Sequence, residues 1–182
     1  SFAMLQAAKA AQAAGTDVVI GLYSSRRWPE TQALAEQFET MPCKPAPPDG
    51  QAEEELDLEV CLKRRPQLIL VDELSHRNTS DARHRKRYQD VEELLRAGVD
   101  VYTTLDVQQI ESIQDTVCSI LHASVSERIP DRVFDRADQV EFLDIEPERL
   151  CQRLLQQKQD AVCSGCSLSQ LSALREMALR RC

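Results

Sequence analysis

A short apolar run that ends in two acids constrains this sequence most. Leu68–Val71 is too short for a helix, and Asp72 and Glu73 follow it at once. This pattern is typical of a buried parallel strand. Ligands of open α/β sheets bind at the carboxyl ends of such strands. Carboxylates there suit Mg²⁺, which often arrives with phosphates. The alternative is a strand that stops at two solvated acids, and so common a motif leaves both interpretations open.

Strand-length apolar runs alternate with helical patterns along the chain. We expect strands at residues 17–22, 68–72, 99–104 and 138–143. We expect helices at residues 1–14, 29–40, 53–64, 88–97, 107–121, 146–158 and 168–181. Residues 41–50 contain four prolines, which predicts an irregular connection. The alternation predicts one α/β domain over residues 1–182, a three-layer parallel sheet flanked by helices.

The charge balance limits the classes of partner. The net charge of −8 argues against a general nucleic-acid binder and against direct contact with an anionic membrane. No apolar run approaches the ~20 residues that span a bilayer, and no signal peptide opens the sequence. We therefore expect a cytoplasmic domain. A helix that opens the chain before any strand further predicts a segment cut from a longer protein.

The seven cysteines are scattered, which favours reduced thiols over a disulfide framework. Cys163 and Cys166 form a lone CxxC pair. Zinc would need two further ligands, and a redox CxxC would need a thioredoxin-like strand before it. We expect this pair to lie in a turn before the last helix.

A basic run, Arg83-His-Arg-Lys-Arg87, stands at the start of the expected helix after the acidic strand end. A helix start with arginines is suited to binding an anion, such as a nucleotide phosphate or an acidic protein surface. Alternatively, Asp90, Glu92 and Glu93 neutralise the run locally. The sequence leaves both possibilities open.

Residues 71–112, VDELSHRNTSDARHRKRYQDVEELLRAGVDVYTTLDVQQIES, resemble the signature block of a known family. That family is the N-terminal cytoplasmic domain of KdpD, the bacterial potassium-responsive sensor histidine kinase. Residues 128–138 and 174–181 resemble later blocks, so the likeness covers essentially the whole chain. It implies a fold similar to phosphate-loop NTPases and a regulatory input role in two-component signalling.

The sequence departs from the family pattern at the phosphate loop. In the family a GxxPGVGKT loop precedes Tyr-Ala-Met-Leu, whereas this sequence opens with Ser1-Phe-Ala-Met-Leu5. Ser1 therefore aligns with the final hydroxyl residue of the loop, and the loop's glycines and lysine are not in this sequence. The family's acid and histidine are lost within residues 23–31. The segment from Ser75 to Asp81 keeps the family's histidine and asparagine but not its proline and glycine.

The resemblance implies ATP and Mg²⁺ as cofactors, provided that a phosphate loop exists upstream. The strand ends, the basic run and the resemblance together give the residues expected at the nucleotide, which are Ser1, Asp72, Glu73, His76, Asn78, Arg83, Arg85 and Thr104. Of these, Ser1 and Asp72 are expected to hold the metal. No catalytic residue and no phosphorelay histidine are expected in this chain.

The expected partners are other cytoplasmic domains of the same kinase, with the full-length protein anchored in the inner membrane. An ATPase in its own right would need the loop lysine and a group that positions water. The remaining alternative is a degenerate, nucleotide-free protein-interaction domain.

Overall fold

The computed structural model describes residues 1–24, 29–44, 54–122, 125–157 and 167–181. The chain divides into two compact units, Ser1–Leu105 and Asp106–Cys182. In the first unit the helices are α1 (Phe2–Ala13), α2 (Pro29–Ala35), α3 (Leu58–Arg64) and α4 (Arg87–Arg96). Its strands are β1 (Val18–Leu22), β2 (Glu39–Thr40), β3 (Cys43–Lys44), β4 (Glu55–Leu56), β5 (Leu68–Val71) and β6 (Asp100–Thr103).

The first unit contains a four-stranded sheet in the order β2-β1-β5-β6, and all its pairings are parallel. The predicted α/β fold, a parallel sheet flanked by helices, is confirmed. The acidic strand β5 lies inside the sheet because both β1 and β6 pair with it. All four residues of β5 are buried, as its apolar sequence predicts.

One face of the sheet packs against α1. The buried residues of this core cluster are Met4, Leu5, Ala8, Val18, Ile20, Ala35, Phe38, Leu68 and Leu70. Leu5 is fully buried, and burying a side chain of that size contributes about 1.5–3 kcal/mol. Helix α1 ends before Gly15, whose φ of 96° suits glycine at a helix end.

The fourth strand of the sheet is not the predicted one. Residues 138–143 form no strand, and most of their side chains are exposed. The alternation there is local, and a strand also requires a partner, which these residues do not have in the described chain. The fourth strand is instead Glu39–Thr40, within the span expected to be helical. Helix α2 ends at Ala35, four residues before this strand.

Two other predicted boundaries were wrong. The expected helix 53–64 begins only at Leu58, where Asp57 caps it by accepting a hydrogen bond from the Val60 N–H at 3.3 Å. Glu55–Leu56 instead pairs antiparallel with Cys43–Lys44, part of the connection expected to be irregular. This small hairpin is separate from the main sheet.

Arg64, which is half-buried, bridges two acids, one just before β1 and one at the start of β2. Arg64 Nη1 lies 2.8 Å from Asp17 Oδ2, and Nη2 lies 2.8 Å from Glu39 Oε2. These hydrogen bonds lower the pKa of both carboxyl groups. Because both carboxylates are exposed and Arg64 is only half-buried, the ion pairs contribute little to stability.

The second unit is helical in its described residues. Its helices are α5 (Gln114–Leu121), α6 (Asp131–Asp135), α7 (Pro147–Gln157) and α8 (Leu168–Arg181). The expected helix from residue 107 starts as two short 3₁₀ turns, Val107–Gln109 and Glu111–Ile113. The break falls at Ile110, which is fully buried and forms a parallel bridge with Ile129. Among the described residues, no helix is long and apolar enough to cross a membrane.

Candidate functional site

The carboxyl ends of three parallel strands meet at Asp72. Its side chain is 2% exposed. The Ser1 hydroxyl donates to one carboxylate oxygen, and the Thr104 hydroxyl donates to the other. The Ser24 N–H also donates to Oδ2 at 3.1 Å. These contacts come from the first helix, from the loops after β1 and β6, and from the end of β5. We call Ser1, Ser24, Asp72 and Thr104 the Asp72 corner.

A bulge in β1 accompanies this convergence. The register with β5 runs Ile20 to Leu70 and then Leu22 to Val71, so Gly21 is the extra residue. A Cβ at Gly21 would lie 2.8 Å from a methyl carbon of Ile69. Only glycine fits there without displacement, which is a recurrent reason for glycine inside a strand. Beyond the bulge, Leu22 accepts from the Asp72 N–H at 3.0 Å.

Glu73 turns the chain out of the sheet. Its φ of 57° is left-handed, which is uncommon for a residue with a side chain. Its N–H donates to Thr104 Oγ1 at 3.1 Å, and the next N–H, of Leu74, donates to the Thr104 carbonyl at 3.0 Å. The Glu73 carboxylate is 40% exposed. The same threonine therefore contacts the Asp72 carboxylate and holds the turn after it.

Arg87 lies beneath this turn and is fully buried. Its Nη1 donates to the Asp72 carbonyl at 3.1 Å and lies 3.5 Å from the Glu73 carboxylate. Its Nη2 lies 3.7 Å from Oε2 of Glu55, which is also buried. Arg87 therefore belongs to the interior of the unit and not to an exposed cationic surface.

The segment between the acidic turn and α4, residues 75–86, is held to the helix by a buried amide. Asn78 Nδ2 donates to Asp90 Oδ2 at 2.6 Å and to the His84 carbonyl at 3.0 Å. Burial raises the pKa of Asp90 to about 6, although the hydrogen bond from Asn78 opposes the shift. The structure thus places Asn78 inside the loop, bound to protein groups.

The other predicted site residues lie on the same loop. His76 Nε2 is 3.3 Å from Glu55 Oε1. Arg83 Nη2 lies 2.9 Å from Glu93 Oε1, as the local-neutralisation alternative predicts. Arg85 is exposed. Of the eight predicted residues, the structure therefore brings Ser1, Asp72, Glu73 and Thr104 together, and the loop carries the other four.

The oxygen donors of the Asp72 corner fit Mg²⁺, which prefers such ligands and keeps several waters. Ser1 and Asp72 would hold the ion directly or through water, and the ion would supply positive charge to phosphate oxygens. Within the described ranges, no group of three or more His, Cys, Asp or Glu side chains is arranged to hold a metal. The glycine-rich cradle that would hold the phosphates is not among residues 1–182. Cys163 and Cys166 lie outside the described residues.

Comparison with known proteins identifies the family. The model of the KdpD family, an osmosensitive K⁺ channel His kinase sensor domain, matches residues 1–182. The chain belongs to the KdpD sensor domain family. The resemblance carried by residues 71–112 is therefore confirmed. The match extends over residues 1–182, and the first unit of the chain contains the parallel sheet.

Curated KdpD sensor proteins match the whole domain. The sensor protein KdpD of Clostridium acetobutylicum is 44% identical over 100% of this chain and 21% of its own length. That of Escherichia coli K12 is 42% identical over the same shares. That of Mycobacterium tuberculosis CDC 1551 is 39% identical over 98% of the chain and 22% of its own length. This KdpD domain thus spans about a fifth of the length of these relatives.

Sequence reasoning missed three residues of the site. Ser24 has a usable signal, since it follows an apolar strand in a polar segment that the edge rule places beside Asp72. Glu55 has none, because it stands in an acidic run that is indistinguishable from an exposed helix start. Arg87 belongs to the basic run that the sequence suggests for anion binding, and nothing in its neighbours distinguishes it as the residue that is buried.

Proposed function

We propose that residues 1–182 form the regulatory input domain of a potassium-responsive KdpD-type sensor histidine kinase, with the Asp72 corner as the metal side of a nucleotide site. The observation that supports this most is the convergence of Ser1, Ser24 and Thr104 on one carboxylate. Ser24, Asp72 and Thr104 follow the carboxyl ends of parallel strands, where open α/β sheets bind ligands, and Ser1 precedes α1. The family match supports the regulatory role.

In this proposal the domain's own residues perform two tasks. Asp72 and Ser1 would hold Mg²⁺, while Thr104 orients the Asp72 carboxylate. Glu73 is partly exposed beside the corner and is placed to orient a water molecule. The phosphates would be held by backbone N–H groups of a glycine-rich loop before Ser1 in the full-length kinase. The same loop would carry the lysine that hydrolysis requires, so we expect no nucleotide hydrolysis by residues 1–182 alone.

A second candidate is a nucleotide-free interaction domain, and one observation favours it. Both oxygens of the Asp72 carboxylate already accept hydrogen bonds from protein groups, so the carboxylate is satisfied without an ion. A buried acid that is satisfied in this way needs no ligand to account for its burial. The domain would then act through its surfaces on other cytoplasmic domains of the kinase.

Signalling by the full-length kinase separates these candidates. We expect Asp72→Asn to alter the K⁺ dependence of autophosphorylation, because the amide keeps the volume but loses the charge that holds the metal. Asp100→Asn is the matched control, because it makes the same chemical change at an exposed position on β6. An Asp72→Asn kinase with the parent's K⁺ response would refute the nucleotide-site proposal and favour the interaction domain.

A further inference from the structure

The buried guanidinium of Arg87 makes contacts with three parts of the first unit. Nη1 binds the Asp72 carbonyl at 3.1 Å and lies 3.5 Å from the carbonyl of Glu73. Nη2 faces Glu55, on the hairpin strand β4, at 3.7 Å. Because Arg87 itself begins α4, one side chain joins the strand end, the hairpin and the helix.

Stability alone is a poor explanation for this arrangement. Burying an arginine and a glutamate is costly, and well-packed apolar residues of similar volume are often at least as stable. In the described part of the chain, Nε and Nη2 of Arg87 have no hydrogen-bond partner within 3.5 Å. The charge is therefore compensated mainly by the carboxylates of Glu55 and Glu73 and by a backbone carbonyl.

Glu55 is itself held firmly by the loop. Its Oε1 accepts from the Thr79 N–H at 3.1 Å and lies 3.3 Å from His76 Nε2. Its backbone pairs with Lys44 in the hairpin. The position of Oε2, which faces Arg87, is thus set by both the hairpin and the loop.

We infer that Arg87 and Glu55 form a positioning pair that fixes the backbone of Asp72 and Glu73, and so couples the β3–β4 hairpin to the Asp72 corner. The effect of the pair on metal and nucleotide binding rests on the proposed function. Its effect on the backbone of Asp72 and Glu73 does not.

The physical link is the peptide between Asp72 and Glu73. Arg87 holds the carbonyl of this peptide. The backbone of Glu73 is in the left-handed region, which costs free energy, and the contact with Arg87 offsets that cost. If the carbonyl is released, the peptide can rotate and relieve that conformation. The Glu73 N–H then leaves Thr104 Oγ1, and the Thr104 hydroxyl is no longer held toward Asp72. A shift of the hairpin would act on the corner through the same chain of contacts.

Amide hydrogen exchange on residues 1–182 tests the backbone side without any ligand. Arg87→Lys keeps the charge but loses the fork that reaches the carbonyl and Glu55 together. Glu55→Gln keeps the shape of the side chain but removes its charge. This variant replaces Arg87→Lys in the test if the lysine variant does not fold. In either variant we expect the amides of Glu73 and Leu74 to exchange about tenfold faster relative to Ile69 than in the parent, because the turn opens locally.

The matched control is Arg64→Lys. Arg64 also bridges two acids, but at the opposite ends of β1 and β2, and we expect no change at the turn. If Arg87→Lys and Glu55→Gln accelerate exchange equally throughout the first unit, the pair is merely structural. An unchanged exchange ratio at the turn would overturn the positioning role as well.

Nucleotide titration of the domain extended upstream of Ser1 through the expected loop, without the catalytic ATP-binding domain of the kinase, tests the coupling to the site. We expect Mg²⁺-ATP to bind the Arg87→Lys protein more weakly than the parent. Equal affinity would overturn the coupling even if the turn opens. If the parent binds no Mg²⁺-ATP, the proposed function fails, while the exchange ratio still decides the role of the pair.

Discussion

Asp90 is a buried acid whose ionisation opposes folding. The stability of the Asp90→Asn variant should therefore depend on pH differently from that of the parent. Its side chain is 4% exposed, and burial raises its pKa from 3.8 to about 6. The charge of Glu55 acts in the same direction, while Asn78, His84 and Arg87 lower the pKa. Between about pH 4 and pH 6 the folded protein therefore holds a proton that the unfolded chain has released. The stability that protonated Asp90 contributes is fully present below pH 4 and is lost as the pH rises through 6.

The magnitude follows from the shift. About two pKa units correspond to about 3 kcal/mol, and we expect about 2–3 kcal/mol in practice. Asp90→Asn removes the titration, and the amide oxygen at this position still accepts from Asn78 Nδ2. The difference in the free energy of unfolding, variant minus parent, should therefore rise by about 2–3 kcal/mol between pH 4 and pH 7. The variant should be the more stable protein at pH 7.

Urea unfolding followed by circular dichroism measures this difference at each pH. Subtracting the parent cancels the acids that are common to both proteins. Asp100→Asn is the control, because an exposed substitution on β6 should stay within about 0.5 kcal/mol at every pH. A difference for Asp90→Asn that does not change with pH, or a variant less stable than the parent at pH 7, would refute the account of this residue.

Three further results are expected. Gly21→Ala should lower the free energy of unfolding by about 1–3 kcal/mol, since the new Cβ would lie 2.8 Å from Ile69; an unchanged urea midpoint would contradict this. Arg83→Ala with Arg85→Ala should weaken an anionic partner, nucleotide or protein, most at low salt; an unchanged salt dependence of binding would mean that neither residue meets the anion. Burial raises the pKa of Cys61 to about 12, so peptide mass spectrometry should find it unalkylated at pH 8 until the protein unfolds, and rapid native alkylation would contradict its burial.

The acidic strand and its edge could be predicted from sequence because their signals are local. A run of four apolar residues bounded by polar ones is typical of a strand that is buried on both faces of a parallel sheet. Once β5 and β6 are parallel, Asp72 and Thr104 must stand at the same edge. The proximity of those two side chains therefore follows from the topology. In the structure the Thr104 hydroxyl donates a hydrogen bond to the Asp72 carboxylate.

Other features depend on distant contacts that leave no local mark. Residues 138–143 have the composition of a strand but no partner in the described chain, whereas Glu39–Thr40 is short, polar and exposed and still pairs with β1. Arg85 and Arg87 are the same residue type in one run, yet one is exposed and the other is fully buried. Which of them is buried is decided by how the loop packs on α4, and this information is not local to the run.

Calorimetric titration with Mg²⁺-ATP tests the central claim most directly when it uses the domain extended upstream of Ser1 through the expected loop, without the catalytic ATP-binding domain of the kinase. Parent, Asp72→Asn and Asp100→Asn proteins are compared, with residues 1–182 alone as a reference that we expect to bind little or no ATP. The account predicts binding by the parent and by Asp100→Asn, and at least about tenfold weaker binding by Asp72→Asn. An Asp72→Asn protein that binds Mg²⁺-ATP as tightly as the parent would contradict the metal role of the Asp72 corner.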